Sequence, residues 1–269
     1  AATGYTRRVL NAGEMQNTGI ELGLDADVVR TPDFNWNLGV NFATNENEVV
    51  ELADGVDNLE FATLFGFVTL EARPGEPYGT FYGNTYQTDE NGNRLVGADG
   101  IYESTTAVEP IGSVLPDFTA GLINTFSYKG LSLTGVIDVQ EGGTLHSYSN
   151  QWGKYSGILE ETAANNIREE GIIVDGVYAP GTVIDGEDVS GQPNETRIAG
   201  ITHFTRHNGY FINSIDQYEA SYIKLREMRL TYQFPQSMID NIGLRDLRLA
   251  VVGRNLALID SDVPHIDPE

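Results

Sequence analysis

The sequence predicts an all-β fold: an antiparallel transmembrane β-barrel segment with long extracellular loops. Three observations carry this. First, in the windows 20–28, 36–42, 118–126, 131–139, 228–234 and 247–253 the side chains alternate with period two, and the apolar set holds no charged residue. The opposite set, in and beside these windows, carries Glu21, Asp25, Asp27, Asp138, Glu227, Arg229 and Arg248. Such alternation makes sheets with one apolar and one polar face. Second, the turns at Pro32, Gly130 and Pro235 are short, whereas the connections at about 51–116 and 143–215 are long. Compact soluble domains rarely hold such loops, while outer-membrane barrels pair short periplasmic turns with long extracellular loops. Third, aromatic residues gather beside the short turns: Phe34 and Trp36, Phe126 and Tyr128, Tyr232 and Phe234. Rings at one level of a barrel form an interfacial girdle.

The elements follow in order. Residues 1–13 are a Gly- and Arg-containing approach. The first hairpin spans about 18–50. Ile20, Leu22, Leu24, Ala26 and Val28 share one face, and after Thr31-Pro32-Asp33 the same face continues through Trp36, Leu38, Val40 and Phe42. Proline fixes φ and aspartate bonds its own backbone, which reverses the chain. From 51 to 116 the chain is loop-like, with short strand pieces expected at 78–88. The second hairpin spans 117–142 around Lys129-Gly130, and the third spans 220–258. Within the long connection 143–215, Ser156–Glu170 predicts one helix. Ser156 would be its N-cap, Leu159, Ala163 and Ile167 its apolar stripe, and Gly171 its C-terminal cap.

A soluble β-sandwich also alternates, so a secreted β-sandwich carbohydrate-binding module is the competing reading. The three observations together favour lipid on the apolar side. Six strands cannot close a barrel, and open edges in lipid leave backbone groups unsatisfied. The chain is therefore expected to be a portion of something longer, with the short turns facing the periplasm.

Composition narrows the function. Of 269 residues, 39 are Asp or Glu and 16 are Lys or Arg, a formal charge of −23. Nucleic acid needs a basic face, so it is excluded as a partner. There is no cysteine, hence no thiolate metal site or cysteine nucleophile. No apolar run of about 18 residues is present, so no transmembrane helix is expected.

No catalytic motif appears: there is no nucleophile elbow, P-loop or zincin helix, and the chain is not expected to be an enzyme. Glu160-Glu161 and Glu169-Glu170 are adjacent pairs that point apart and read as solvated surface, whereas glycosidase carboxylates must face each other about 5–9 Å apart. His203 and His207 have metal-ligand spacing only on a helix, and Thr202, Thr205, Asn208 and Gly209 do not favour one. Asp89, Asn91 and Asn93 resemble half a calcium loop. However, Arg94 stands where that loop needs glycine, so a polar turn is the better reading. No metal or cofactor is expected. The candidate ligand-binding residues are loop aromatics: Tyr148, Trp152, Tyr155, Phe204, Tyr210 and Phe211. Exposed rings stack on sugar faces or grip peptide side chains with little entropy loss. Alternatively they pack the long loops together.

Asn11-Ala12-Gly13-Glu14-Met15-Gln16-Asn17-Thr18-Gly19-Ile20-Glu21-Leu22 resembles a strand of SusC/RagA-type TonB-dependent outer-membrane transporters. Phe34-Asn35-Trp36 leading to Asn45-Glu46-Asn47-Glu48-Val49-Val50 is similar to that family's next strand. Gly75-Glu76-Pro77-Tyr78-Gly79-Thr80-Phe81-Tyr82-Gly83, the Pro116 to Lys129 strand, Ala220 to Glu227 and Asp267-Pro268-Glu269 also fit, in the family's order. The resemblance implies a late portion of a 22-stranded barrel in the outer membrane of a Gram-negative bacterium. It further implies TonB-dependent uptake of glycans or oligopeptides, with a SusD-like surface lipoprotein closing the extracellular mouth. The plug domain and the TonB contact would lie outside this chain.

Overall fold

Long period-two stretches become long strands. The computed structural model describes residues 13–64 and 67–268; the approach expected at residues 1–13 therefore lies, but for Gly13, outside the described residues. Ten principal strands run in order: β1 (Gly13–Arg30), β2 (Phe34–Leu52), β3 (Leu59–Leu64), β4 (Val68–Ala72), β5 (Thr80–Gly83), β6 (Glu109–Ser113), β7 (Pro116–Tyr128), β8 (Leu131–Gly142), β9 (Tyr222–Gln233) and β10 (Arg248–Ser261). Between β8 and β9 lie single helical turns and two longer helices, α1 (Tyr148–Ser156) and α2 (Gly200–Arg206). Among the described residues no helix is long and apolar enough to cross a membrane, which says nothing about a β-barrel.

By contacts the chain divides into two units, of which one comprises Asn17–Asn47, Leu115–Gly143 and Glu219–Glu269. This unit is built on a six-stranded sheet in the order β1-β2-β7-β8-β9-β10. Its pairs from β2 onward are antiparallel. Each strand exceeds the roughly 9–11 tilted residues needed to cross a bilayer. The order is open: β1 and β10 are its two edges. At the first turn Thr31 does the closing, its Oγ1 donating to Phe34 O at 2.9 Å and its N–H to the same oxygen at 2.8 Å.

The two faces differ sharply. On the apolar side Ile20 is 66% exposed, Leu22 61%, Leu230 46% and Val251 68%. A sandwich core would bury such residues. Register sets Trp36 opposite Phe126, Phe34 opposite Tyr128, and Leu131 between Tyr128 and Tyr232. The aromatic residues thus share one level beside the short turns, with Trp36 and Phe126 stacked at 5.7 Å. Asn124 is polar on this face, and its Oδ1 accepts from Trp36 Nε1 at 3.1 Å. The other side is ionic. Arg226 pairs with Asp138 at 2.7 Å, Arg254 with Glu227 at 3.1 Å and Arg229 with Glu227 at 2.9 Å.

A bulge in β9 explains a phase slip in the third hairpin. Leu225 pairs with Ile137 and Glu227 with Val136, so Arg226 is the extra residue. Apolar residues occupy positions 223 and 225 before it and 228, 230 and 232 after it. Without the bulge one half of β9 would turn its charges to the apolar side.

The other unit holds Glu48–Val114 and Thr144–Tyr218 together with the start of β1. The stretch read as loop with strand pieces at 78–88 contains a four-stranded sheet, β3-β4-β5-β6. Only β5 falls within 78–88, followed by isolated bridges at Tyr86 and Thr88. Val68, Ala72, Phe81 and Tyr82 are buried here. Glu71 is buried with them: burial works against its charge, but bonds from Arg73, Asn58 and Thr69 outweigh it and lower its pKa. Val96, Val174 and Ile198 form a second small core, with Tyr102 and Ile172 against it. The calcium-like segment is a polar turn: Asp89 Oδ1 accepts the N–H groups of Asn91 and Asn93, each at 2.8 Å.

The helix expected over 156–170 is not there as one element. A helix ends at Ser156 instead of starting there, capped by Ser147 before it and by left-handed Gly157 (φ 73°) after it. Beyond it lie single turns, broken where Asn165 and Asn166 adopt φ of 52° and 55°. Only the last turn, Ile167–Glu170, precedes Gly171 as expected.

Candidate functional site

The loop aromatics are positioned by α1, α2 and the turn after α2. Ser147 Oγ accepts the Asn150 N–H at 3.2 Å and starts α1. Asn150, Gln151 and Gly153 then face inward, leaving Trp152 and Tyr155, one turn apart, exposed. α2 is stopped by buried Asn208, whose Nδ2 donates to the carbonyls of Phe204 and Thr205 at 3.2 and 3.0 Å. Asn208 Oδ1 accepts the Tyr210 N–H at 3.0 Å, so the chain folds back and presents Tyr210 and Phe211.

Asp216 holds these pieces together. Its backbone carbonyl accepts Ser147 N–H at 2.9 Å, and its Oδ2 accepts Gly209 N–H at 2.7 Å. Its Oδ1 pairs with Lys154 Nζ at 2.6 Å, with the Asp216 side chain fully buried. Lys154 also donates to Tyr218 Oη at 2.9 Å. Burial works against the ammonium, but Asp216 and Tyr218 outweigh it and raise its pKa.

The result is a cavity of about 370 Å³ lined by Trp152, Tyr155, Tyr210 and Phe211, with Gln151 and Arg206 among its polar groups. The rings meet edge to face, Trp152 with Tyr155 at 5.4 Å and Tyr210 with Phe211 at 5.0 Å. The Arg206 guanidinium lies 4.9 Å over the Phe211 ring. Phe204 instead lines a neighbouring cavity of about 340 Å³ with Tyr155, Ile201 and Arg168. Tyr148 lines neither of these two cavities. It packs edge-on against His146 at 4.7 Å, and burial pushes its phenol up to about 12.

His203 and His207 do stand one turn apart on and just after α2, contrary to the expectation that Thr202, Thr205, Asn208 and Gly209 keep this stretch from being helical. Packing overrides weak propensity here: Gly200 lets α2 approach so closely that a Cβ would stand 2.4 Å from Ile167 O. The two imidazoles bond to each other, Nδ1 to Nδ1, at 2.9 Å. His207 Nε2 accepts the Tyr102 N–H at 3.0 Å, so the His207 proton sits on Nδ1 and is donated to His203. Burial, then His203 and Arg206, lower His207 to about 4. Among the described residues no group of three or more His, Asp or Glu is placed to hold a metal ion.

No protein-family model matches the chain. It is 28% identical to TonB-dependent receptor P3 of Formosa agariphila over 99% of this chain, and 28% identical to receptor P26 of that organism over 99%. A stretch of 48 residues is 38% identical to TonB-dependent receptor SusC of Bacteroides thetaiotaomicron, covering 18% of this chain. The likeness is to the SusC/RagA type of TonB-dependent receptor. Among solved structures, the RagAB peptide transporter superposes with a TM-score of 0.62 at 22% identity, over 99% of this chain and 28% of that one. This match shows the shared barrel fold. The chain spans 26% and 27% of the lengths of the two Formosa relatives.

Sequence reasoning chose four of the ring residues that line the cavity but missed Gln151, Arg206, Asn208 and the Lys154–Asp216 pair. A Gln beside Trp152 and an Arg inside the His203–His207 stretch were the only local signals.

Proposed function

We propose that this chain is a membrane-spanning portion of an outer-membrane, TonB-dependent importer of glycans or oligopeptides. It works with a SusD-like surface lipoprotein in a Gram-negative bacterium. One observation carries the reading: an open antiparallel sheet whose exposed face is aliphatic from Ile20 to Val251 and whose other face is ionic. Lipid covers the first face and the transport lumen wets the second. Edges on β1 and β10 require further strands to close the barrel, 22 in all. The long connections face the cell exterior, where Trp152, Tyr155, Tyr210 and Phe211 contact the ligand, with Phe204 beside them. Tyr148, packed on His146, stands outside this group. Energy coupling through TonB is assigned to no residue of this chain, and no step calls for catalysis.

The test is fractionation followed by uptake. Alkaline carbonate should leave the protein in the outer-membrane pellet, and detergent should release it. Deletion should abolish growth on the imported polymer. A protein that purifies monodisperse from the aqueous fraction would restore the sandwich binding module.

A further inference from the structure

The cavity beside α1 carries more than rings. Arg206 is exposed, contacts Phe211 by its guanidinium face, and has no carboxylate partner among the described residues. In a chain with 39 acidic and 16 basic residues, a cation left without a counterion beside an aromatic cavity stands out. Lys154, nearby, is already neutralised by Asp216.

Gln151 closes the inner side of the cavity. It is 4% exposed, lines the same cavity, and its Oε1 is enclosed without a hydrogen-bond partner. This oxygen is turned away from the open space, so Gln151 serves the cavity as a fixed, buried amide wall. The adjoining residue is Gly209, where a Cβ would stand 3.3 Å from this oxygen.

We propose that this cavity binds an anionic sugar unit, a hexuronate or a sulfated hexose within a glycan chain. The proposal rests on the ligand-contact reading above and deepens it. The C–H faces of a pyranose pack on Trp152 and Tyr210, and the carboxylate or sulfate pairs with Arg206 in a charge-assisted bond. The cavity volume is at the low end of the roughly 300–1,000 Å³ found for small-molecule sites, room for one or two units. A peptide fits less well. Its main chain seeks an open strand edge, whereas these walls are helices and a turn whose backbone groups are bonded internally.

The protein in detergent is titrated calorimetrically with four ligands: trigalacturonate, a sulfated hexose trisaccharide, a neutral trisaccharide and a tripeptide bearing an aromatic residue. Either anionic sugar should bind about tenfold tighter than the neutral one at low salt, and whichever binds tighter identifies the anion. Arg206→Gln should erase that preference and Arg206→Lys, which keeps the charge, should retain it, with circular dichroism checking that loss of the guanidinium from the Phe211 ring leaves the fold unchanged. Trp152→Ala should weaken all sugars about tenfold, with circular dichroism confirming the fold. Equal binding of neutral and anionic sugars, a preference surviving Arg206→Gln, or binding of the tripeptide alone overturns the proposal. If the protein stays in the outer membrane yet binds none of the four, this inference fails and the import reading stands. If it leaves the membrane, both fail.

Discussion

Substituting Leu122 by arginine tests the lipid-facing assignment with a magnitude that follows from the sheet. Leu122 pairs with Val40 on one side and Ile137 on the other, inside the aliphatic face. It lies four residues from Phe126, which belongs to the aromatic level. At about 3.3 Å per residue and a tilt near 40°, that places it roughly 10 Å above the rings. An apolar band about 25 Å tall then has Leu122 close to its midplane, where arginine costs about 2–4 kcal/mol. The neighbouring residue supplies the control. Ile123 is on the ionic side, pairing with Gly39, where a Cβ would meet both Ile123 and Asp25 Oδ2, and Ile123→Arg should cost under about 1 kcal/mol. Tyr128→Arg, at the aromatic level, should cost about 0–1 kcal/mol. Urea unfolding in lipid vesicles, followed by tryptophan emission, measures all three. Equal costs at Leu122 and Ile123, or no decline from Leu122 to Tyr128, would refute the assignment.

Further outcomes concern the loops. His207 is held neutral, falling from 6.5 to about 4. Its contribution is therefore complete above pH 6.5 and is lost as the pH falls toward 4, about 3 kcal/mol in all. Limited proteolysis of the 144–218 region should accelerate over that window, and His207→Gln should flatten the response. Asp216→Ala leaves the Lys154 ammonium without its counter-charge beside the Phe204 cavity and should destabilise that region by about 3–5 kcal/mol. The double change Asp216→Leu with Lys154→Met should recover only part of the loss in the same proteolysis assay, since the Gly209 N–H stays without its acceptor. A single mutant as protected as the parent would show that this ion pair organises nothing.

The sheet was readable because one solvent boundary dictates it. Lipid on one side and water on the other force a residue-by-residue alternation, and Ile20 to Val28 or Met228 to Phe234 carry that alternation without tertiary information. Even the bulge at Arg226 leaves a trace, since the apolar positions change from odd to even there. Strand limits were less legible, because β1 begins at Gly13 and β10 runs to Ser261, past the clear alternation. The loops obey no such boundary. α1 is Tyr-Ser-Asn-Gln-Trp-Gly-Lys-Tyr-Ser, with poor helix formers and, at i, i+4 and i+7, the rings Tyr148, Trp152 and Tyr155 in place of an aliphatic stripe. Ser147 and Gly157 cap it in the structure, whereas Leu159, Ala163 and Ile167 offer an aliphatic stripe eight residues too late. That stripe fails because Asn165 and Asn166 take left-handed conformations. The cavity depends on Asp216 reaching back to Ser147, Lys154 and Gly209. Contacts of that kind join residues far apart in sequence and leave no local pattern.

The chain has two tryptophans, Trp36 on the aliphatic face of the sheet and Trp152 at the ligand cavity. In a vesicle-reconstituted protein with Trp152 and every tryptophan outside this chain changed to phenylalanine, Trp36 is the sole reporter of what covers that face. Lipids brominated along the acyl chain should quench its emission, most strongly from shallow positions, while aqueous iodide should have little effect. Strong quenching by iodide with none from any brominated lipid would contradict the account.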